Sequence, residues 1–300
     1  MALSFVQKFT KFSPQRRLFA LWIFLFAMAN PLHAHEFWFT PIAPPTTPGD
    51  SVTLRLEVGE FFTGEAAGFS RVTTHTLRHH SAAGSENLRP SLQEHALEAE
   101  VALTLNVPGT HLFVYNSAPQ QITLDASKFE AYLHDEGLDF VKVHRQQTGA
   151  ASLPGRERFR RHIKTLVDAG AAPDIAQASD MTHATVTEQR LEIMPLVNPL
   201  KLAPGNTLPL QIIFDDRPLV GALVKAWHKH KGQLHTVRAK TTSTGLVEFN
   251  LPYAGEWMVS VVHMVAASAA ESEANGVDWD SYWGNLSFTL VQRVGEFYTR

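Results

Sequence analysis

Two stretches of this chain open with the same kind of turn and continue with the same alternation of apolar and polar residues. Residues 48–50 (Pro-Gly-Asp) precede the first stretch and residues 204–206 (Pro-Gly-Asn) precede the second. The alternating apolar positions are Val52, Leu54, Leu56 and Val58 in the first stretch and Leu208, Leu210, Ile212 and Phe214 in the second. A period of two predicts a strand with one buried face. A glycine turn before a further strand also recurs, at Gly109 and at Gly255. The ordered repeat therefore predicts a mainly β fold of two tandem immunoglobulin-like β-sandwich domains.

The segment between the two repeats has a helical pattern. Asp125 can cap a helix that ends before Gly137, and residues 138–147 extend it by another turn or two. Residues 156–167 carry apolar side chains on one side and basic ones on the other, which predicts a further helix with a solvated basic face. The predicted organisation is a signal peptide at 1–34, an N-terminal β-sandwich at 35–124, a helical insertion and linker at 125–184, and a C-terminal immunoglobulin-like β-sandwich at 185–300.

The N-terminus has the features of an export signal. Four basic residues lie before an apolar run at 18–29, and Asn30 and Pro31 then break that run before Ala34. A run of this length is short of the roughly 20 residues that span a bilayer, so cleavage after Ala34 is favoured over an uncleaved anchor. The sequence thus predicts a periplasmic protein that begins at His35 and meets the membrane only through its signal peptide.

Composition excludes several classes of function. The chain has 26 basic and 29 acidic residues, which gives no general attraction to nucleic acid. It has no cysteine, so disulfides, thiolate metal sites and cysteine nucleophiles are ruled out. No nucleophile elbow, phosphate-binding loop or dinucleotide fingerprint is present, which counts against common hydrolases and dehydrogenases. Any metal ion must therefore be held by nitrogen and oxygen, and histidine, with 15 copies, is the abundant ligand.

Three histidines are the predicted metal ligands. Cleavage would give His35 a free α-amine beside its imidazole, and these two nitrogens can chelate one ion of nickel, cobalt or copper. His263 ends an alternating apolar strand, and His228 shares a strand face with His230. The competing interpretations are a free N-terminal tail for His35, a core histidine for His263 and surface histidines for His228 and His230.

Other polar clusters are weaker candidates. His75, His79 and His80 are interpreted as incidental surface histidines. Asp278 and Asp280 lie beside large aromatic residues, where they could supply oxygen ligands or orient an imidazole, although hydrogen bonds within a loop are the simpler interpretation.

Several stretches resemble one family of exported bacterial proteins. These stretches are residues 33–38 (His-Ala-His-Glu-Phe-Trp), 190–193, 204–210, 221–228 and 257–264. The family is described as the periplasmic component of a cobalt/nickel uptake system and is named after a nickel-transport subunit. The similarity covers nearly the whole chain after Ala34. The resemblance implies delivery of nickel or cobalt.

The sequence therefore predicts a periplasmic protein that binds a divalent transition metal ion, nickel or cobalt or else copper, and that is not an enzyme. Its expected partners are the metal ion and an envelope metal transporter or receptor. Two alternatives stay open. One is a copper oxidase or oxygenase that uses the N-terminal histidine chelate, and the other is a non-enzymatic envelope binding or scaffolding module.

Overall fold

Strands dominate the computed structural model, which describes residues 36–45, 47–170 and 180–292. The strands are β1 Glu36–Ala43, β2 Ser51–Glu60, β3 Thr63–Ala66, β4 Thr74–Ser81, β5 Gly84–Asn87, β6 Glu100–Thr104, β7 Thr110–Ser117, β8 Gln120–Leu124, β9 Gly155–Asp168, β10 Leu191–Pro195, β11 Thr207–Phe214, β12 Arg217–Pro218, β13 Leu223–His230, β14 Gln233–Lys240, β15 Leu246–Asn250, β16 Gly255–Ala266 and β17 Trp279–Leu290. The α-helices are α1 Ala126–Asp135, α2 Asp139–Gln147 and α3 Ala269–Asn275. Short 3₁₀ turns lie at Arg89–Ser91, Thr182–Ala184 and Pro199–Lys201.

A central sheet of nine strands runs through both halves of the chain. Its order is β14-β13-β16-β17-β9-β7-β4-β5, with β8 also paired to β9. The strands from the two halves meet where β17 pairs with β9, and this pair is parallel whereas β9 pairs antiparallel with β7. The two predicted sandwiches therefore share one sheet.

Two four-stranded sheets cover opposite faces of the central sheet. The N-terminal sheet contains β1, β2, β3 and β6, and the C-terminal sheet contains β10, β11, β12 and β15. Strand β7 shows how the central sheet packs against both of these sheets, because its successive side chains point to opposite faces. Phe113 and Tyr115 lie in the core beneath the N-terminal sheet, whereas Leu112 and Val114 lie in the core beneath the C-terminal sheet. Each core is built from alternate positions of the same strands.

The first two helices cover part of the face that the N-terminal sheet leaves open. Phe129 and Leu133 of α1 pack with Val262, Trp279 and Trp283 of the central sheet. Among the described residues, no helix is long and apolar enough to cross a membrane.

The predicted mainly β fold of two sandwiches is confirmed, and the two sandwiches share the central sheet. Helices also form at 126–135 and 139–147, as the sequence indicated, and a further short helix, α3, forms at Ala269–Asn275. The helix predicted at 156–167 is wrong, because these residues form β9 in the middle of the central sheet. The apolar residues at 159, 163 and 167 fit a strand equally well, and hydrogen bonds to neighbours on both sides decide in its favour.

The basic face predicted for residues 156–167 is also not a free surface. Arg158 and Arg160 both donate to Asp280 on the paired strand, at 2.6 Å from Arg158 Nε and 2.8 Å from Arg160 Nη1. Lys164 is buried and donates to Glu192 at 2.5 Å. The carboxylates that neutralise this strand come from more distant parts of the chain, which is why local sequence gave no sign of them.

Candidate functional site

A cavity of about 300 Å³ lies beside the first residue of β1, and we call it the N-terminal cavity. Its lining residues are Glu36, Glu60, Phe61, Ala131, Tyr132, Asp135, Glu136, Lys225, Trp227 and Arg238. Four of them are acidic and two are basic. The cavity is therefore a polar site with an excess of carboxyl groups.

Three separate elements bring these carboxyl groups together. Glu36 opens β1 and pairs with Gly59 of β2, so that it lies next to Glu60 at the end of that strand. Asp135 ends α1, and Glu136 follows it directly. Lys225 reaches the same place from the central sheet, where it donates to Glu136 at 2.7 Å.

Burial governs the protonation of the inner carboxyl groups. Burial, together with the nearby Glu136, raises the pKa of Glu36 to about 7, against the opposing effects of Lys225 and Arg161. Burial also raises the pKa of Glu136, against the attraction of Lys225. The ammonium group of Lys225 is thus the main charge that balances the inner carboxylates.

A tight turn between β2 and β3 forms one wall of the cavity. Phe61 and Phe62 both have positive φ, at 54° and 53°, a conformation that non-glycine residues seldom adopt. The turn places Phe61 against Trp227, with ring centroids 6.0 Å apart, and Phe62 against Trp38 at 5.3 Å. The side chain of Phe61 is 56% exposed. Strained backbone of this kind often occurs at functional sites.

The predicted ligand His35 lies outside the described residues. Glu36, the first described residue, lines the N-terminal cavity.

His228 is buried on β13, not at the surface. Its Nδ1 lies 2.9 Å from the carbonyl oxygen of Glu256, and its ring stacks on Trp257 at 4.3 Å. Its Nε2 is buried and has no hydrogen-bond partner among the described residues. Burial lowers the pKa of His228, so the ring is neutral.

His263 occupies a different place on the same sheet. It packs against Phe214 at 4.4 Å between ring centroids, and burial lowers its pKa to about 4 despite the opposing effect of Asp215. His228 pairs with Trp257, six residues before His263 on β16, which corresponds to about 20 Å along a strand. One metal ion cannot be bound by both.

Sheet geometry also separates these two histidines from the N-terminal cavity. Lys225 and Trp227 line that cavity, and His228 follows Trp227 on β13, so its side chain points to the other face. On β16 the apolar neighbours Val259 and Val261 share the face of His263 and belong to the core beneath the C-terminal sheet. His228 and His263 therefore lie on the face of the central sheet opposite the N-terminal cavity. Among the described residues, no group of three or more histidine, aspartate or glutamate side chains is arranged to hold a metal ion.

The weaker candidates have structural partners. His79, expected at the surface, is buried and stacks on His111, with 2.7 Å between His79 Nε2 and His111 Nδ1. Asp278 accepts two hydrogen bonds from Arg156, and Asp280 pairs with arginines of β9. Sequence reasoning missed Lys225, Glu36 and Glu136 of the N-terminal cavity, because no motif links residues that lie so far apart in the chain.

The fold and the cavity define a mainly β protein in which two sandwiches share a sheet and an acidic cavity adjoins the first strand. The chain belongs to the DUF4198 family, described as a domain of unknown function, which matches residues 32–265.

No characterised protein matches by sequence. Among solved structures, the chain is similar to the D0-D1 domain of intimin, with 12% identity, coverage of 84% of this chain and 97% of that chain, and a TM-score of 0.20. It is also similar to dimeric latent PorU from Porphyromonas gingivalis, with 11% identity, coverage of 86% and 20%, and a TM-score of 0.18.

Proposed function

We propose that this DUF4198 protein is a periplasmic metal-binding protein that captures nickel or cobalt, with copper as the competing ion, and passes the ion to an envelope transporter or receptor. It is not an enzyme in this proposal. The observation that supports the proposal most is the position of Glu36, which lies at an acidic cavity immediately after the residue expected to begin the processed chain.

The donor set near this terminus suits such an ion. An α-amine and an imidazole from His35 would supply two nitrogen donors, and the carboxyl groups of Glu60 and Asp135 line the adjoining cavity. Nitrogen donors of this kind favour nickel, cobalt and copper over calcium or magnesium. His228 and His263 have no part in this site, because both point to the other face of the central sheet.

Titration calorimetry of the chain that begins at His35, checked by mass spectrometry, tests the proposal. We expect Ni²⁺ and Co²⁺ to bind with one-to-one stoichiometry, and Cu²⁺ to bind at the same site. His35→Ala removes the imidazole but keeps the α-amine, and it should abolish tight binding. Asp135→Asn should weaken binding by roughly tenfold or more, as loss of a supporting carboxylate does at other metal sites.

Asp139→Asn is the matched control, because Asp139 is an exposed carboxylate at the start of the next helix and does not line the cavity. Its affinity should equal that of the unsubstituted chain. Equal affinities for the His35→Ala variant and the unsubstituted chain would refute the proposed site.

A further inference from the structure

A second and larger cavity, of about 650 Å³, carries the opposite charge, and we call it the basic cavity. Its lining residues are His75, Thr76, Arg78, His80, Asn116, Ser117, Pro119, Arg160, His162, Val186, Thr187, Glu188 and Arg190. These lining residues include three arginines and three histidines but a single carboxylate, that of Glu188. The volume falls within the range of small-molecule sites.

Strand register places the basic cavity on the face opposite the N-terminal cavity. Thr76 pairs with Asn116, which pairs with His162, and these three side chains form one row across β4, β7 and β9. The same row continues through Gly284 and Val261 to Val224 on β13. Val224 precedes Lys225, so the row points away from the N-terminal cavity. The two cavities are therefore independent sites.

Two of the arginines keep donor groups for a ligand. All three nitrogens of the Arg190 guanidinium group already donate hydrogen bonds, to both carboxylate oxygens of Asp215 and to the hydroxyl of Tyr282. Among the described residues, Arg160 donates a hydrogen bond to Asp280 through Nη1 alone, and Arg78 donates one to Ser85 through Nη1 alone. Each of these two guanidinium groups thus retains Nε and Nη2, which form the planar fork that binds carboxylate or phosphate.

Neutral groups add further hydrogen-bonding capacity. Gln189 donates to Oδ1 of Asn116 at 2.8 Å, which leaves the amide nitrogen of Asn116 as a donor. Nδ1 of His162 lies 3.1 Å from the backbone of Leu191, which leaves its Nε2.

His80 gives an independent indication of a missing partner. Its Nε2 is buried and has no hydrogen-bond partner among the described residues. Buried polar atoms are nearly always satisfied in native proteins, so an unsatisfied one in a side chain that lines a cavity points to a ligand or a bound solvent molecule.

We propose that the basic cavity binds a small oxyanion, that is, a ligand that presents a carboxylate or phosphate group to Arg78 and Arg160. This site goes beyond the proposed metal function, since it lies on the other face of the sheet and contains none of the expected metal ligands.

Calorimetric titration of the metal-free chain, separately with citrate and with inorganic phosphate, tests the proposal. We expect at least one of the two to bind with one-to-one stoichiometry, and the tighter one identifies the class of group that the cavity prefers. Arg78→Gln should weaken that binding about tenfold or more, because a charged hydrogen-bond donor is lost. Arg71→Gln is the matched control, since Arg71 is a partly exposed arginine that pairs with Glu94 outside the cavity.

A second variant keeps the test independent of any loss of stability. Val186 lines the cavity and is 63% exposed, so Val186→Glu adds a negative charge there without disturbing a core. It should abolish binding of the anion while the folded chain persists in circular dichroism. The proposal is overturned if neither anion binds, or if Arg78→Gln and Val186→Glu bind as tightly as the Arg71→Gln control.

Discussion

At the scale of single residues, the central sheet buries several charged side chains, and each of those discussed below contacts a specific partner. Lys164 and Glu192 are both almost fully buried and form an ion pair at 2.5 Å. Arg161 packs its guanidinium group on the rings of Phe37 and Trp283, at 4.5 and 4.6 Å. Because a buried charge is costly unless it is paired, these contacts fix how the strands meet as well as how tightly they pack.

His162 makes the stability of the protein depend on pH. Burial, with smaller contributions from Arg160 and Arg190, lowers its pKa from 6.5 to about 4. Between these two values the unfolded chain binds a proton at this residue and the native chain does not. The free energy of unfolding should therefore fall as the pH falls from 6.5 to 4, by about 3 kcal/mol from this residue.

Urea unfolding at several pH values between 4.5 and 7 measures this effect. His162→Gln should be less stable at pH 7, because its contact with the Leu191 backbone changes, but its stability should depend less steeply on pH. Equal slopes for the two proteins would show that another group causes the acid sensitivity.

At the scale of elements, β9 is the segment on which the fold depends most. It pairs with β17 on one side and with β7 and β8 on the other, so both of its edges and both of its faces are covered. Gly155 begins this strand at the place where α1 crosses it. A Cβ atom at Gly155 would lie 2.2 Å from Cγ of Phe129, which is far inside van der Waals contact.

Gly155→Ala should consequently destabilise the protein by roughly 1–3 kcal/mol, the usual cost of overpacking a core. The reason is the ring of Phe129, not the backbone, so Phe129→Ala should relieve the clash. In a double-mutant cycle measured by urea unfolding, the double variant should lose less stability than the two single variants together. Strict additivity would mean that Gly155 acts through something other than this contact.

At the scale of the whole molecule, the shared sheet joins the two sandwiches into one folding unit. Residues 36–170 contribute β4, β5, β7, β8 and β9 to that sheet, and residues 180–292 contribute β13, β14, β16 and β17. Neither set can complete the sheet without the pairing of β17 with β9. Loss of one sandwich would expose the edge of a sheet that is otherwise buried.

We therefore expect a single cooperative unfolding transition. Leu54→Ala removes a buried side chain beneath the N-terminal sheet, and Phe249→Ala removes one beneath the C-terminal sheet. Either substitution should lower the protection of slowly exchanging amides in both β2 and β11 by the same free energy, as measured by native-state hydrogen exchange. Separate transitions, or an effect confined to one half, would mean that the sandwiches unfold independently.

The sequence by itself determined the elements whose signals are local. Period-two alternation after the turns at 48–50 and 204–206 predicted β2 and β11, and helical spacing after Asp125 predicted α1. Asp125 does precede the first residue of α1, but its side chain makes no capping hydrogen bond. These features depend on a few neighbouring residues and on backbone geometry, so they can be predicted without knowing the rest of the chain.

Only the tertiary structure decided what depends on partners distant in sequence. Residues 156–167 carry a pattern that suits either a helix or a strand, and the strands on both sides made them β9. Pairing between strands and packing of α1 brought Glu36, Glu136 and Lys225 together beside one face of the sheet. Strand pairing also separated His228 from His263, and it placed Arg78 and Arg160 around a cavity on the other face. Charges and hydrogen bonds act across space, and no spacing along the chain records which residues the sheet will make neighbours.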